Sequence, residues 1–282
     1  MEHHFIQANG LKFHYVEQGS GPLVLMLHGF PECWYSWRHQ IEALAPHFRV
    51  VAPDLRGYNL TDKPAQGYAM PDLLSDVEAL IVALGEERCH LVGHDWGGAI
   101  AWQFAAQRAR RVERLAVLNC PHPALFLKGL RRPRQLLRSW YIFFFQIPRL
   151  PEWILARDDY RALLANFRGW AVYPENITDE DLEVYRAAIS QPGALTAAIN
   201  YYRHIWHSPA EARAALKQIK APTLLIWGEQ DIALGKELTY RTKRWAPHCT
   251  IRYIRDASHW VQQDKPELVN QLLTQFLLDT PR

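Results

Sequence analysis

Polar and apolar positions are distributed along the chain in patterns that assign most of its elements. Near the start, Phe5-Ile6-Gln7-Ala8 and Leu11 to Val16 flank Asn9-Gly10. A two-residue Asn-Gly loop between such runs predicts an antiparallel hairpin closed by a type I′ turn. Leu23-Val24-Leu25-Met26-Leu27 is a continuous apolar run, too short for a helix, and predicts a strand covered on both faces. Phe48 to Ala52, Cys89 to Val92 and Leu115 to Asn119 are read as further strands. Between them lie helical stretches, from about Trp37 to Ala45, from about Asp72 to Leu84 and from Ala99 to Gln107. In the second of these, Leu73, Val77, Leu80, Ile81 and Leu84 recur at three- and four-residue steps, as one buried helical face requires. Strands alternating with helices imply an α/β fold, with a mostly parallel sheet flanked on both faces.

The alternation stops at Pro121. From there to about Ala212 the pattern shows no strand, only helical segments broken by prolines at 123, 133, 148, 151, 174, 192 and 209. It resumes with a strand at Thr223 to Trp227, a helix near Lys236 to Trp245, a strand at Thr250 to Ile254 and an amphipathic helix from Glu267 to Leu278. The expected organisation is a core of residues 1–120 and 213–282 with a helical cap, 121–212, inserted between its halves. Such a lid would lie over the carboxyl ends of the strands, where open α/β sheets bind ligands.

Composition narrows the class without changing this picture. The chain has 282 residues, 49% hydrophobic and 22% charged, with a net charge of +3, which excludes disorder and suits a globular protein with a large core. Basic clusters at Arg108-Ala109-Arg110-Arg111 and Arg131-Arg132-Pro133-Arg134 come without a nucleic-acid motif. They read as solvated helix ends or cap surface, with contact to an anionic surface as the alternative. Cys33, Cys89, Cys120 and Cys249 show neither a C-x-x-C pair nor metal-ligand spacing, so free thiols in a reducing compartment are expected, without a metal. Met1 to Phe5 lacks the basic-then-apolar pattern of a signal peptide, and no apolar run approaches the roughly 18 residues of a membrane span. The expected location is the cytoplasm.

The chemistry is concentrated in Val92-Gly93-His94-Asp95-Trp96-Gly97-Gly98. An apolar strand runs into it and a helix leaves it, the strand-turn-helix setting of a nucleophile elbow, G-x-[nucleophile]-x-G. Here the nucleophile position holds an aspartate. A carboxylate that attacks a saturated carbon leaves an alkyl ester, which water can cleave at the aspartate's own carbonyl. Asp95 therefore points to displacement at an sp3 carbon, opening an epoxide or expelling a halide. A carboxylate merely capping the next helix is the plainer reading. Against it stand the companions downstream: Asp231 follows the strand ending at Trp227, and His259 follows the last strand. Nucleophile, acid, histidine is the chain order of α/β-hydrolase triads. Asp231 would orient His259, freeing its other nitrogen to take a proton from water. Glu229 and Asp256 are rival acids, read as structural. His28-Gly29-Phe30-Pro31 would supply the backbone N–H of Phe30, which with that of Trp96 forms an oxyanion hole.

His28-Gly29-Phe30-Pro31-Glu32, Tyr35-Ser36-Trp37-Arg38, Gly93-His94-Asp95-Trp96-Gly97-Gly98, Asn200-Tyr201-Tyr202-Arg203 and Ser258-His259-Trp260 together resemble the epoxide hydrolase branch of the α/β-hydrolase family. The likeness covers nearly the whole chain, closely in the core and more loosely in the lid. Phe144-Phe145-Gln146-Ile147-Pro148 and Ser190-Gln191-Pro192-Gly193-Ala194 resemble the lids of the vertebrate epoxide hydrolases 3 and 4, whose N-terminal anchor segment is not seen here. The resemblance implies an enzyme without cofactor that acts on a small epoxide with water, as a monomer or homodimer. In the family two lid tyrosines donate hydrogen bonds to the epoxide oxygen. Tyr202 matches one of them. The position expected for the other is Phe144, which cannot donate, and Tyr141, three residues earlier on the helix, is the candidate. Tyr201 would point elsewhere and pack. Asn59 stands where the family loop usually has Gly, and Asn tolerates a left-handed backbone. Phe30, Trp96, Phe144, Tyr202 and Trp260 are the expected substrate contacts.

Two other functions stay open at this level. Trp96 could help to bind a halide in a dehalogenase. Haloalkane dehalogenases, however, generally carry Asn where this chain has Phe30, and fluoroacetate dehalogenases a lid His-Trp pair where it has Trp140-Tyr141. A non-catalytic binding protein on the same fold would be expected to show a gap in the triad or elbow, and none is visible.

Overall fold

Eight strands form one sheet in the order β1-β2-β4-β3-β5-β6-β7-β8 in the computed structural model, which describes residues 1–205 and 217–279. β1 (Glu2–Ala8) and β2 (Leu11–Gln18) pair antiparallel across Asn9 and Gly10, whose φ values of 48° and 76° are those a type I′ turn requires. β2 runs antiparallel to β4 (Arg49–Pro53). The remaining neighbours are parallel: β3 (Leu23–Leu27) with β4 and with β5 (Cys89–His94), then β6 (Val112–Leu118), β7 (Thr223–Gly228) and β8 (Cys249–Ile254).

The continuous apolar runs are central strands, as their pattern requires: every residue of β3 and β5 is buried. Their alternate side chains enter two cores. Leu25, Leu27 and Leu91 pack on one face with α2 (Met70–Ala83) and α3 (Asp95–Gln107). Val24, Met26 and Val92 pack on the other with α1 (Arg38–Leu44) and the last helix, Pro266–Leu278. Strand order reverses between β3 and β5, because β4 lies to one side of β3 and β5 to the other. The crevice beyond such a switch point is where open α/β sheets bind ligands.

The helix expected from about Trp37 to Ala45 is α1, capped by those two residues and preceded by a 3-10 turn, Trp34–Trp37. Two helical expectations need correction. The helix expected from Ala99 begins at Asp95, and β5 runs to His94, so strand and helix meet with no intervening loop. The helix expected from Lys236 to Trp245 is absent; two 3-10 turns, Lys236–Leu238 and Thr242–Arg244, stand there. The hydroxyls of Thr239 and Thr242 donate to the carbonyls of Lys236 and Thr239, a local bonding that competes with helix.

Between β6 and β7 the described residues hold helices and no strand: α4 (Pro123–Gly129), α5 (Pro133–Arg138), α6 (Trp140–Phe144), α7 (Leu150–Leu155), α8 (Arg157–Trp170), α9 (Asp179–Ile189) and α10 (Ala194–Arg203). The insert's expected end near residue 212 lies outside the described residues. Two buried carboxylates pin this layer to the core. Asp181, in the capping box of α9, accepts the Tyr35 hydroxyl at 2.9 Å and pairs with Arg38 at 3.2 Å. Asp264 accepts the backbone N–H groups of Val172 and Tyr173 at 2.9 and 3.0 Å. The Arg203 guanidinium binds both Glu152 carboxylate oxygens, at 2.7 and 3.0 Å, fastening α10 to α7.

Candidate active site

Asp95 stands where β5 becomes α3, with a left-handed backbone (φ 49°) that costs energy in any residue but glycine. The turn is possible because its neighbours lack side chains. A Cβ on Gly93 would come within 2.4 Å of the Gly97 carbonyl oxygen, and one on Gly97 within 2.0 Å of that of Leu27. The result lifts the Asp95 carboxylate off the sheet's edge and leaves it 16% exposed.

Its two oxygens have different neighbours. Oδ1 accepts the backbone N–H of Phe30 at 2.9 Å. Oδ2 lies 3.5 Å from Nε2 of His259. The loop bearing Phe30 is held by His28, whose Nδ1 donates to the Gly29 carbonyl and whose Nε2 accepts the N–H of Leu55. Burial pushes the His28 imidazole down, in keeping with that neutral tautomer. The Trp96 N–H, in the first turn of α3, is one of the donors that a helix leaves without an internal acceptor.

Nδ1 of His259 lies 2.8 Å from Oδ2 of Asp231. The Asp231 carboxylate is fully engaged: Oδ2 also accepts the Asn119 side-chain N–H at 2.8 Å, and Oδ1 accepts the N–H groups of Ala233 and Leu234, both at 2.8 Å. Glu229 instead binds Lys236 at 2.6 Å, and Asp256 binds Lys265 at 2.6 Å on the surface. Burial works to lower the His259 imidazole, but Asp231 and then Asp95 outweigh it and raise it to about 10. Burial likewise works to raise the Asp95 carboxyl, and the hydrogen bond and charge of His259, with His94 and the Phe30 N–H, hold it below its ordinary range.

Asp95, Trp96, Tyr141, Tyr201 and Tyr202 line one cavity of about 150 Å3. The Tyr141 and Tyr202 rings meet edge-on with centroids 5.8 Å apart. Burial first, and then the negative charge of Asp95, push both phenols well up, so each remains a donor at neutral pH. Tyr201 turns its hydroxyl to the carbonyl of Arg56 at 2.8 Å while its ring packs on Tyr58 and Trp96. Asn59 does adopt a left-handed backbone, φ 41°, and its amide donates to Asp54 at 2.8 Å.

Of the expected substrate contacts, Trp96 and Tyr202 line this cavity; Phe30, Phe144 and Trp260 do not. The Phe30 ring is edge-on to Tyr202 at 5.2 Å and props it from behind. Phe144 packs on Trp140 and Phe145 within the lid. Trp260, 1% exposed, stacks on Phe167 at 4.8 Å and meets His259 edge-on at 5.0 Å, so it packs the loop of the base.

Four supporting residues escaped the pattern reading. Asn119 closes the β6 strand with φ 38° and bonds both Asp231 and the Gly228 N–H; a left-handed Asn after a strand was the available signal. Glu32 and His94 form a buried pair behind the nucleophile. Asp264 accepts the Ser258 N–H at 2.7 Å and the Ser258 hydroxyl at 2.5 Å, next to His259.

The model of the α/β hydrolase fold family matches residues 22–266. Epoxide hydrolase 4 of Mus musculus is 43% identical over 98% of this chain and 79% of its own length. Epoxide hydrolase 3 of Xenopus tropicalis is 41% identical over 98% of this chain and 78% of its own. The crystal structure of a Bacillus megaterium epoxide hydrolase in complex with an inhibitor is 33% identical and superposes with a TM-score of 0.90, covering 98% of this chain and all of that one. Among the described residues no helix is long and apolar enough to cross a membrane.

Proposed function

We propose, from the premise that the chain belongs to the α/β-hydrolase family and within it to the epoxide hydrolases, that it opens an epoxide to a vicinal diol through an ester on Asp95. Oδ1 is held by the Phe30 N–H at 2.9 Å, so Oδ2, with the looser contact to His259 at 3.5 Å, is the oxygen that strikes an oxirane carbon. The epoxide C–O bond breaks as the bond from Oδ2 to the substrate carbon forms, and the released oxygen takes a hydrogen bond, then a proton, from Tyr202 or Tyr141, which is left as a phenolate. An alkoxide is a poor leaving group, and donors placed where its charge develops are the usual remedy. A halide would leave without a proton, so two protonated phenols beside the carboxylate favour the epoxide over the dehalogenase reading.

The second step follows from the charges. In the resting site the His259 imidazole sits between two carboxylates, which is why it holds its proton so firmly. Turning Asp95 into a neutral ester removes one of them. The imidazole then yields its proton to the phenolate left by ring opening and becomes a base for water while Asp231 keeps it oriented. Water adds to Cγ of Asp95. The negative charge gathers on Oδ1, already at the Phe30 N–H, with the Trp96 N–H as the second donor. On collapse the Cγ–O ester bond breaks, the departing alkoxide takes the proton that His259 drew from water and leaves as the diol, and the carboxyl of Asp95 returns its own proton to His259.

The observation that carries this reading is the placement of Asp95 between the Phe30 N–H at 2.9 Å and His259 at 3.5 Å, on a cavity shared with two phenols. A cavity of about 150 Å3 holds a ring the size of benzene, which suits an epoxide with a single ring or a short chain. The four buried free thiols fit the cytoplasm. Intact-mass measurement is the test. His259→Gln mixed with styrene oxide should gain the mass of one epoxide, and Asp95→Ala should not. A His259→Gln protein that stays at its starting mass would remove the covalent route.

A further inference from the structure

The two basic clusters meet different ends in the fold. Arg108 and Arg111 both bind Glu78, on α2. The side chains of Lys128, Arg131, Arg132, Arg134 and Arg138 make no ion pair or hydrogen bond among the described residues. From Pro123 to Pro151 the chain carries these five and Arg149, and not one Asp or Glu, although its net charge over all 282 residues is only +3. The rest of the molecule is therefore net negative. The positive charge is concentrated on α4 to α7.

The same helices expose the apolar residues that a folded chain normally buries. Leu137 is 75% exposed, Trp140 62%, Trp153 60%, Ile147 44% and Leu136 42%. Leu127, 36% exposed, also lines the cavity of Asp95, so apolar surface continues from the outside of these helices to the cavity wall. A concentration of exposed apolar side chains on one part of a fold marks a contact surface.

We propose that α4 to α7 form a docking face for an anionic phospholipid bilayer. Tryptophan settles at the headgroup level of a membrane, leucine and isoleucine reach the acyl boundary, and arginines answer the lipid phosphates. Helices of five to seven residues lie on such a surface and cannot cross it. A second copy of the chain is the less suitable occupant. A symmetric dimer through this face would bring the same six cations against themselves, with no carboxylate between Pro123 and Pro151 to offset them. The proposal does not depend on the reaction at Asp95, and Arg131, Arg134, Leu137 and Trp153, the residues that test it, do not line that cavity.

Sedimentation of the purified full-length protein with sucrose-loaded vesicles tests it. At about 0.1 M salt, where surface charges still act over about 10 Å, vesicles of equimolar phosphatidylglycerol and phosphatidylcholine should carry the protein down. Phosphatidylcholine alone should do so about tenfold less well or worse. Each basic residue at the surface contributes about fivefold to such binding, so Arg131→Glu with Arg134→Glu should weaken it by at least about 25-fold, the loss of two cations, and by more through the reversed charge. Leu137→Ser with Trp153→Ser should weaken it by about tenfold. Both double variants should keep the parent's circular dichroism and melting temperature, which separates lost docking from lost folding. The proposal is overturned if the parent stays in the supernatant with anionic vesicles, or if the arginine variant sediments as the parent does. It is equally overturned if sedimentation velocity shows a dimer that Leu137→Ser with Trp153→Ser dissolves while vesicle binding is absent.

Discussion

His94 and Glu32 face each other with Nδ1 2.8 Å from Oε2, and neither side chain has any exposure to solvent. The other ring nitrogen of His94 lies 2.9 Å from the carbonyl oxygen of His259. A carbonyl can only accept, so Nε2 carries a proton, and one further proton lies between Nδ1 and the carboxylate. Glu32 also accepts the Gly29 N–H at 3.0 Å and the Gln262 side-chain N–H at 3.1 Å. One buried carboxylate thus joins the loop that offers the Phe30 N–H, the residue before the nucleophile and the segment that follows the base.

Removing that carboxylate leaves Nδ1 of His94 and the N–H groups of Gly29 and Gln262 without their partner in the core. Glu32→Ala should cost about 3 kcal/mol of stability and lower turnover, because Phe30 and His259 lose a common anchor. Urea unfolding followed by tryptophan fluorescence gives the first quantity. A variant as stable as the parent would show that the pair holds nothing together.

The phenols give a second expectation. Tyr202→Phe and Tyr141→Phe should each slow ester formation by about a hundredfold, the typical loss for one donor to a developing oxyanion. Stopped-flow tryptophan fluorescence during alkylation separates this from ester hydrolysis. If Tyr141→Phe alkylates at the parent rate, Tyr202 acts alone.

Stability should depend on pH through His259. Its ordinary value is 6.5, and in the fold it is raised to about 10. A group whose value rises on folding stabilises fully below the lower figure and loses that contribution as pH climbs through the upper one. The melting temperature should therefore fall between pH 7 and 9.5, with a slope of at most about 1.4 kcal/mol per pH unit from this one proton. His259→Gln should flatten that slope. Asp95, held low in the fold, works in the opposite sense, and its contribution disappears only as pH falls below about 3.8. A parent and a His259→Gln variant with the same alkaline slope would contradict the assignment.

Asp264 gives a prediction that separates the two chemical steps. Its carboxylate accepts from Val172, Tyr173 and Ser258 and meets no cationic partner among the described residues. Asp264→Asn turns an amide N–H toward one pair of these donors, which should cost about 2 kcal/mol or more. Because Ser258 precedes the base, ester hydrolysis should slow more than ester formation, and a larger burst of alkyl-enzyme should appear in the presteady state. Equal slowing of both steps would make Asp264 a packing residue.

The chain order Asp95, Asp231, His259, the parallel sheet and the helical insert are all properties of local runs, and they were readable without coordinates. A five-residue apolar run such as Leu23 to Leu27 can satisfy its backbone and bury both faces only inside a sheet, and Gly93 and Gly97 around an aspartate admit few other turns. Where the helix expected from Lys236 gives way to 3-10 turns, near and distant bonds share the cause: Asp231 takes the N–H groups of Ala233 and Leu234, Gln135 takes that of Gly235, and the Thr239 and Thr242 hydroxyls bond carbonyls three residues back.

What only the tertiary structure decided is which distant groups meet. Glu32 reaches His94 across 62 residues, Asn119 reaches Asp231 across 112, and Asp264 reaches Val172 across 92. Phe30 and Trp260 sit beside functional residues in the chain, yet their rings are taken up in packing Tyr202 and the loop of His259. Periodicity and spacing report the nearest few residues, because hydrogen-bonded turns and pleats repeat over that range. The partner of a buried polar atom is chosen by the packing of whole layers, and that choice is made only when the chain has closed on itself.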